Sequence, residues 1–188
     1  DYHAPQFTLD GPLQYALGAD DVLDNIGATD QLDGNLSASV KITDKYRIPN
    51  DTEGEYPLEF TVTNSAGDVS RLTATVTMLS QSDYNSSAKI GLSNYLIYID
   101  KGKKIDPMSY VKDIEIGDTT YTKQENGSFT APSTAATVGQ TATALPASSI
   151  SVSGSVNRKK PGTYELTYTM QDKNGRTGST RLIVVVTE

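Results

Sequence analysis

One hairpin is written twice in this chain. Gly54-Glu55-Tyr56-Pro57-Leu58-Glu59-Phe60-Thr61-Val62-Thr63-Asn64, followed by Gly67, matches Gly162-Thr163-Tyr164-Glu165-Leu166-Thr167-Tyr168-Thr169-Met170-Gln171-Asp172, followed by Gly175, at a constant offset of 108 residues. After a slip of two residues, Arg71-Leu72 through Val76 aligns with Arg181-Leu182 through Val186. Each copy alternates apolar and polar residues with the two-residue period of a strand, turns at a glycine, and then alternates or runs apolar again. Self-similarity at this distance predicts two β units in series, each closed by its own long hairpin.

The flanking residues set the bounds of those units. The first opens at Pro5-Gln6-Phe7-Thr8-Leu9, and residues 1–80 are read as one sandwich. Residues 81–87, polar and small, read as a linker, and residues 88–188 form the second unit, opening at Lys89-Ile90-Gly91-Leu92. The second unit is longer because of an insert over 119–149, rich in Thr, Ala, Ser and Gly, which is expected to be a mobile loop. Within it, Asn126-Gly127 has the chemistry of a hairpin turn. Helical periodicity is weak, with short turns expected only at Asp20 to Ile26 and Asp106 to Val111. The 18 Ser and 23 Thr, interleaved with Val, Ile, Leu and Tyr, suit pleated half-buried surfaces. Pro57 lacks a ladder donor just inside its strand, so pairing there is expected to start a residue late.

The hairpin resembles the bacterial Ig-like repeats of group 3 and their relatives, which end in G-x-Y-x-(apolar)-x-(aromatic)-x-(apolar)-x-D-x-x-G. Gly162, Tyr164, Leu166, Tyr168, Met170, Asp172 and Gly175 fit throughout, and the first copy fits with Asn64 in place of the Asp. Asp30-Gln31-Leu32-Asp33-Gly34 is similar to the family's Asp-rich turn, and Ile150 to Asn157 to the strand before its last hairpin. The resemblance implies an all-β chain of two tandem immunoglobulin-like β-sandwich domains. It also implies a bacterial surface or extracellular setting, and no reaction. The residues agree with that fold: Tyr56 and Tyr164 follow Gly54 and Gly162 by two, the place of the tyrosine corner in Ig-type sandwiches. Leu58 and Leu166 stand where antibody domains carry a core cysteine.

Composition removes most chemistry. There is no Cys, and the one His is His3, beside the cut end, so Ser–His and Cys–His catalysis has no base of the usual kind. The net charge of −7 divides into −9 over residues 1–80 (4 basic, 13 acidic) and +2 over 81–188 (12 basic, 10 acidic). That is the wrong sign for nucleic acid. No apolar run approaches the roughly 20 residues that cross a bilayer, and Leu182 to Val186 is only strand length. Asp20, Asp21, Asp24, Asp30 and Asp33 could supply a carboxylate pair, but a chain without Trp lacks the usual lining of a sugar-cleaving cleft. Asp30 and Asp33 are also the candidate Ca²⁺ ligands, although their spacing falls short of a calcium loop and a turn role is expected instead. The 11 Tyr are expected in core and turn positions.

No catalytic residue, metal or cofactor is therefore expected. The expected function is a structural or adhesion module, a spacer or stalk, within a larger chain of which Asp1 to Pro5 reads as a cut end. The alternative is a module that binds a host glycan or protein through exposed loops. A monomer without membrane insertion is expected.

Overall fold

The structure is a computed structural model that describes residues 2–43, 50–132 and 144–188. Its first half holds β1 (Gln6–Leu9), β2 (Gln14–Ala16), β3 (Ile26–Asp30), β4 (Gly34–Asn35), β5 (Lys41–Ile42), β6 (Gly54–Thr63) and β7 (Val69–Leu79). These make a sheet β1-β3-β4 facing a sheet β2-β7-β6-β5. The second half holds β8 (Lys89–Leu92), β9 (Leu96–Ile99), β10 (Val111–Ile116), β11 (Thr119–Lys123), β12 (Phe129–Thr130), β13 (Ile150–Ser153), β14 (Gly162–Gln171) and β15 (Thr177–Val186). They form the sheets β12-β11-β10-β8 and β13-β14-β15-β9. The chain is all-β, with β2 running parallel to β7 and β9 parallel to β15, and every other pairing antiparallel.

The doubled hairpin recurs in the same register. Leu58 pairs with Ala74 and Leu166 with Leu182, while Thr63 pairs with Val69 and Gln171 with Thr177. Partner positions therefore differ by 108 throughout, and the slip expected after the turn is not present. A shift of two leaves every side chain on its own face, so alternation alone cannot distinguish the two alignments. In the true register Arg181 corresponds to Thr73, Ile183 to Thr75 and Val185 to Thr77.

Pro57 costs no ladder bond either. Its partner is Thr75, and the ladder runs unbroken from Gly54 opposite Met78 to Thr63 opposite Val69. The Thr77 amide points away from β6, donating to Leu13 O at 2.9 Å, and the Thr75 amide points the same way. Pro57 and Thr75 are thus a non-hydrogen-bonded pair, in which the proline nitrogen faces away from β7 and the β6–β7 ladder misses no donor.

Each half has its own buried cluster. Phe60, Leu58, Val62, Leu72, Val76 and Met78 lead the first, and Tyr168, Met170, Leu182, Val184, Ile114 and Phe129 the second. Phe60 and Tyr168 occupy the same repeat position, both with no exposed surface. Tyr168 differs only in its hydroxyl, which donates to Pro107 O at 2.6 Å. Burial pushes that hydroxyl's pKa up strongly, and does the same for Tyr15, to about 12, where the hydroxyl donates to Val22 O at 2.9 Å.

Two expectations need correction. The insert is not a plain loop over its described part. As their chemistry suggested, Asn126 and Gly127 (φ +83°) turn a hairpin, β11–β12, over residues 119–130, and beyond that expectation Leu145 bridges to a fully buried Phe129. Residues 133–143, in the middle of the expected mobile stretch, lie outside the described residues. The segment read as linker holds the helix α1 (Gln81–Ser86). The Ser80 hydroxyl caps it by accepting from the Asp83 amide at 3.0 Å, and Glu53 fixes its entry by accepting from the Ser80 amide at 2.6 Å. Six polar residues carry no helical stripe; a cap and one distant carboxylate make the turn.

Candidate functional site

The tyrosines of the doubled hairpin act on backbone. Tyr56 donates to Thr52 O at 3.0 Å, with Glu53 O at 3.2 Å, and Tyr164 donates to Lys160 O at 2.9 Å. Each ring therefore ties its strand to the loop that feeds it, four residues upstream. Gly54 (φ +150°) and Gly162 (φ +154°) adopt a conformation that L side chains avoid. A Cβ on Gly54 would also press on the Tyr56 ring at 3.2 Å. Leu58 and Leu166 point inward and are 1% and 4% exposed, filling the sites where a disulfide would cross.

The acidic turn is saturated by protein donors. Asp30 is buried, and its Oδ1 accepts from the amides of Leu32 at 2.9 Å and Asp33 at 3.1 Å. Its Oδ2 accepts from Asn64 Nδ2 at 3.3 Å. Burial works to raise this carboxyl, but the three donated bonds outweigh it and hold the pKa below the ordinary aspartate value. Asp33 takes the Ser65 amide and hydroxyl, both at 2.6 Å, and Gly34 (φ +72°) closes the turn. Asp20, Asp21 and Asp24 stay exposed on the segment before β3. Among the described residues no group of three or more His, Asp or Glu side chains is disposed to hold a metal ion.

The departure of Asn64 from the repeat pattern has a physical cause. Both hairpins turn through the same five-residue loop, with residue 64 or 172 donating its amide to the carbonyl four residues on, each at 3.1 Å. In the second loop the Asp172 carboxylate meets Arg176, whose Nε lies at 2.6 Å. Burial tends to raise Asp172, and the bonds and charge of Arg176 overcome this and lower it. In the first loop the fourth residue is Asp68, and Asp30 stands behind. A carboxylate at 64 would meet two others, whereas the Asn64 amide donates to Asp68 at 3.3 Å, to Asp30 and to the Tyr2 hydroxyl.

A third constellation joins the two halves. Glu165, on the outer face of β14, accepts from the Thr75 amide at 2.7 Å and the Thr75 hydroxyl at 2.8 Å. Arg181 donates to Thr77 Oγ1 at 2.8 Å, pairs with Glu55 at 2.6 Å and lies 3.8 Å from Glu165. Ile183, only 2% exposed, belongs to the buried cluster of the first half, against which Leu96 and Val185 also pack. Tyr98 accepts from the Phe7 amide at 2.8 Å. Glu165 thus satisfies an amide on the otherwise open edge of β7, and the Arg181 guanidinium neutralises two carboxylates beside it. None of these residues was singled out by sequence. The signal was the unbroken apolar run Leu182 to Val186: even positions fill their own core and odd ones the neighbour's, as in a strand buried on both faces.

The fold and this geometry describe tandem immunoglobulin-like β-sandwiches without a catalytic constellation among the described residues, and comparison with known proteins shows what they are similar to. Residues 114–185 match the family described as Bacterial surface protein, Ig-like domain, so the second half carries such a domain. The chain is 30% identical over 167 residues to an uncharacterised 81.3 kDa protein of Acholeplasma phage L2. The match takes in 88% of this chain and spans 19% of that protein's length. Among solved structures, the CBM51-2 and INT domains of Clostridium perfringens ZmpB, in complex with GlcNAc, align with 97% of this chain and 41% of theirs (19% identity, TM-score 0.39). The lipoprotein BT2262 of Bacteroides thetaiotaomicron aligns over 95% of this chain and 98% of its own (14% identity, TM-score 0.32). Among the described residues no helix is long and apolar enough to cross a membrane.

Proposed function

We propose that these residues serve as a non-catalytic spacer or stalk within a bacterial cell-surface or secreted protein. In this reading the two sandwiches, residues 1–80 and 88–188, are held at a fixed angle to each other. The observation that carries it is the joint. Glu165 and Arg181 bond the backbone and side chains of the first unit while Ile183 enters its core. A spacer needs this property, because a freely hinged pair gives no defined reach. The carboxylates that could have served catalysis are occupied as turn and cap acceptors or remain dispersed, which supports a module without chemistry. The match of residues 114–185 to a surface-protein family supports the location.

The test is surface display. A reporter epitope is carried ahead of residues 1–188 on a wall-anchored protein, and its accessibility to antibody is measured on intact cells. Deleting the pair should bury the epitope in the cell envelope, and Glu165→Ala with Arg181→Ala should lower accessibility part of the way. Equal accessibility with and without the pair refutes the spacer reading.

A further inference from the structure

Where the two halves meet, the joint leaves a cleft of about 400 Å³, walled on one side by Pro12 and Gln14 of the first half and elsewhere by Tyr84 of α1 and by the second half. Its floor is the β8–β10 ladder, in which Asp113 stands opposite Gly91 and Glu115 opposite Lys89. A glycine inside a strand weakens it and marks a place where something approaches closely. Here a Cβ on residue 91 would collide with the Asp113 carboxylate, which lies across the space. That carboxylate receives no hydrogen bond from the described residues, and its nearest cation, Lys112, is 3.9 Å away and exposed. It contrasts with Asp30, Asp33 and Asp172, all of which are saturated.

Two tyrosines flank the floor. Tyr84 projects from α1, with the Lys89 ammonium 4.2 Å from its ring centroid and bonded to its carbonyl. Tyr95 is fixed by the Leu92 amide, which donates to its hydroxyl at 3.3 Å. Lys89 and Lys112 balance Asp113 and Glu115, so the cleft carries no net charge and selects neither anions nor cations. We infer that this cleft binds a neutral saccharide: the free Asp113 carboxylate accepts the hydroxyls of a sugar edge, the exposed Lys112 ammonium donates to its oxygens, and a tyrosine ring covers its apolar face. The volume falls within the range of small-ligand sites, roughly 300–1,000 Å³. The inference goes beyond the spacer reading, since a stalk can stand without it.

The experiment is amide NMR on the 188-residue protein, titrated separately with glucose, galactose, mannose and N-acetylglucosamine to about 20 mM, enough to saturate a site of millimolar Kd. At least one sugar should give saturable shifts confined to the amides of residues 89–91, 112–115 and 179–180. Asp113→Ala, which loses no donated bond, should keep the wild-type melting temperature and weaken binding at least tenfold. Tyr84→Ala is the second variant, expected to weaken binding while the Ile90 and Ile114 amides stay protected. The inference is overturned by the absence of shifts with all four sugars, by shifts that map elsewhere, by an equal response to glycerol, or by undiminished binding in both variants.

Discussion

Ile183→Thr isolates the joint from the sandwiches it connects. The aligned residue of the first unit is Thr75, so the change places on β15 the residue that the same hairpin position already tolerates. Both residues are β-branched, so strand preference is little altered. Ile183 is 2% exposed and packs in the first unit's cluster, not in its own. Fully burying an isoleucine stabilises by about 1.5–3 kcal/mol. Threonine keeps one methyl and brings a hydroxyl into an apolar site, so the docked arrangement should lose roughly 1.5–2.5 kcal/mol. At about 1.4 kcal/mol per decade, the ratio of docked to undocked pairs should fall about 10- to 60-fold. The Thr75 amide reads this directly, because its bond goes to Glu165 across the joint and not to a strand neighbour. Hydrogen exchange at Thr75 should accelerate by that factor, while the Leu182 and Val184 amides, inside the β15 ladder, exchange as before. If Thr75 keeps its protection, or if Leu182 accelerates equally, Ile183 stabilises its own sandwich and the reasoning about the joint is wrong.

Other outcomes follow from the same geometry. Tyr56→Phe and Tyr164→Phe should each cost about 0.5–1.5 kcal/mol in chemical denaturation, the net worth of one bond at a half-buried site. No loss in either variant would remove the corner role. Phe129→Ala should destabilise the second unit by about 3–5 kcal/mol, as for a core aromatic, and a loss below about 1 kcal/mol would return residues 119–130 to the status of a surface loop. Asn64→Asp should destabilise the first unit at neutral pH by setting a third carboxylate against Asp30 and Asp68, with recovery as acid protonates the new group; melting curves at several pH values test the sign. The native aspartates titrate the other way. Asp30 and Asp172 have lowered folded-state pKa values, so their stabilisation is present above the ordinary aspartate pKa of about 3.9 and is lost as pH falls through the lower folded values. Millimolar Ca²⁺ should leave the melting temperature unchanged, because Asp30 and Asp33 already accept protein donors; a rise that disappears in Asp33→Ala would contradict this.

Local pattern was enough to read the strands. Period-two alternation marks β6, β7, β14 and β15, and the Gly-x-Tyr spacing marks the corner, because both depend on residues one or two apart along the chain. The Asp30 to Gly34 turn was legible for the same reason: its carboxylate bonds amides two and three residues on. Register was not, since a shift of two conserves every face and the Arg-Leu similarity therefore misaligned the second strand of the hairpin. The turn of the β11–β12 hairpin was legible in Asn126-Gly127, but its place in a sheet was not, because its Thr-rich strands carry little apolar alternation and Phe129 becomes a core residue only when Leu145 closes over it. Asn64 looked like a blemish in the pattern until Asp30, distant in sequence, was seen behind it. The joint was the least accessible to sequence. Glu165 and Arg181 are ordinary outward residues of a strand, and only the placement of β7 against that outer face converts a solvated pair into the contact that fixes one sandwich on the other.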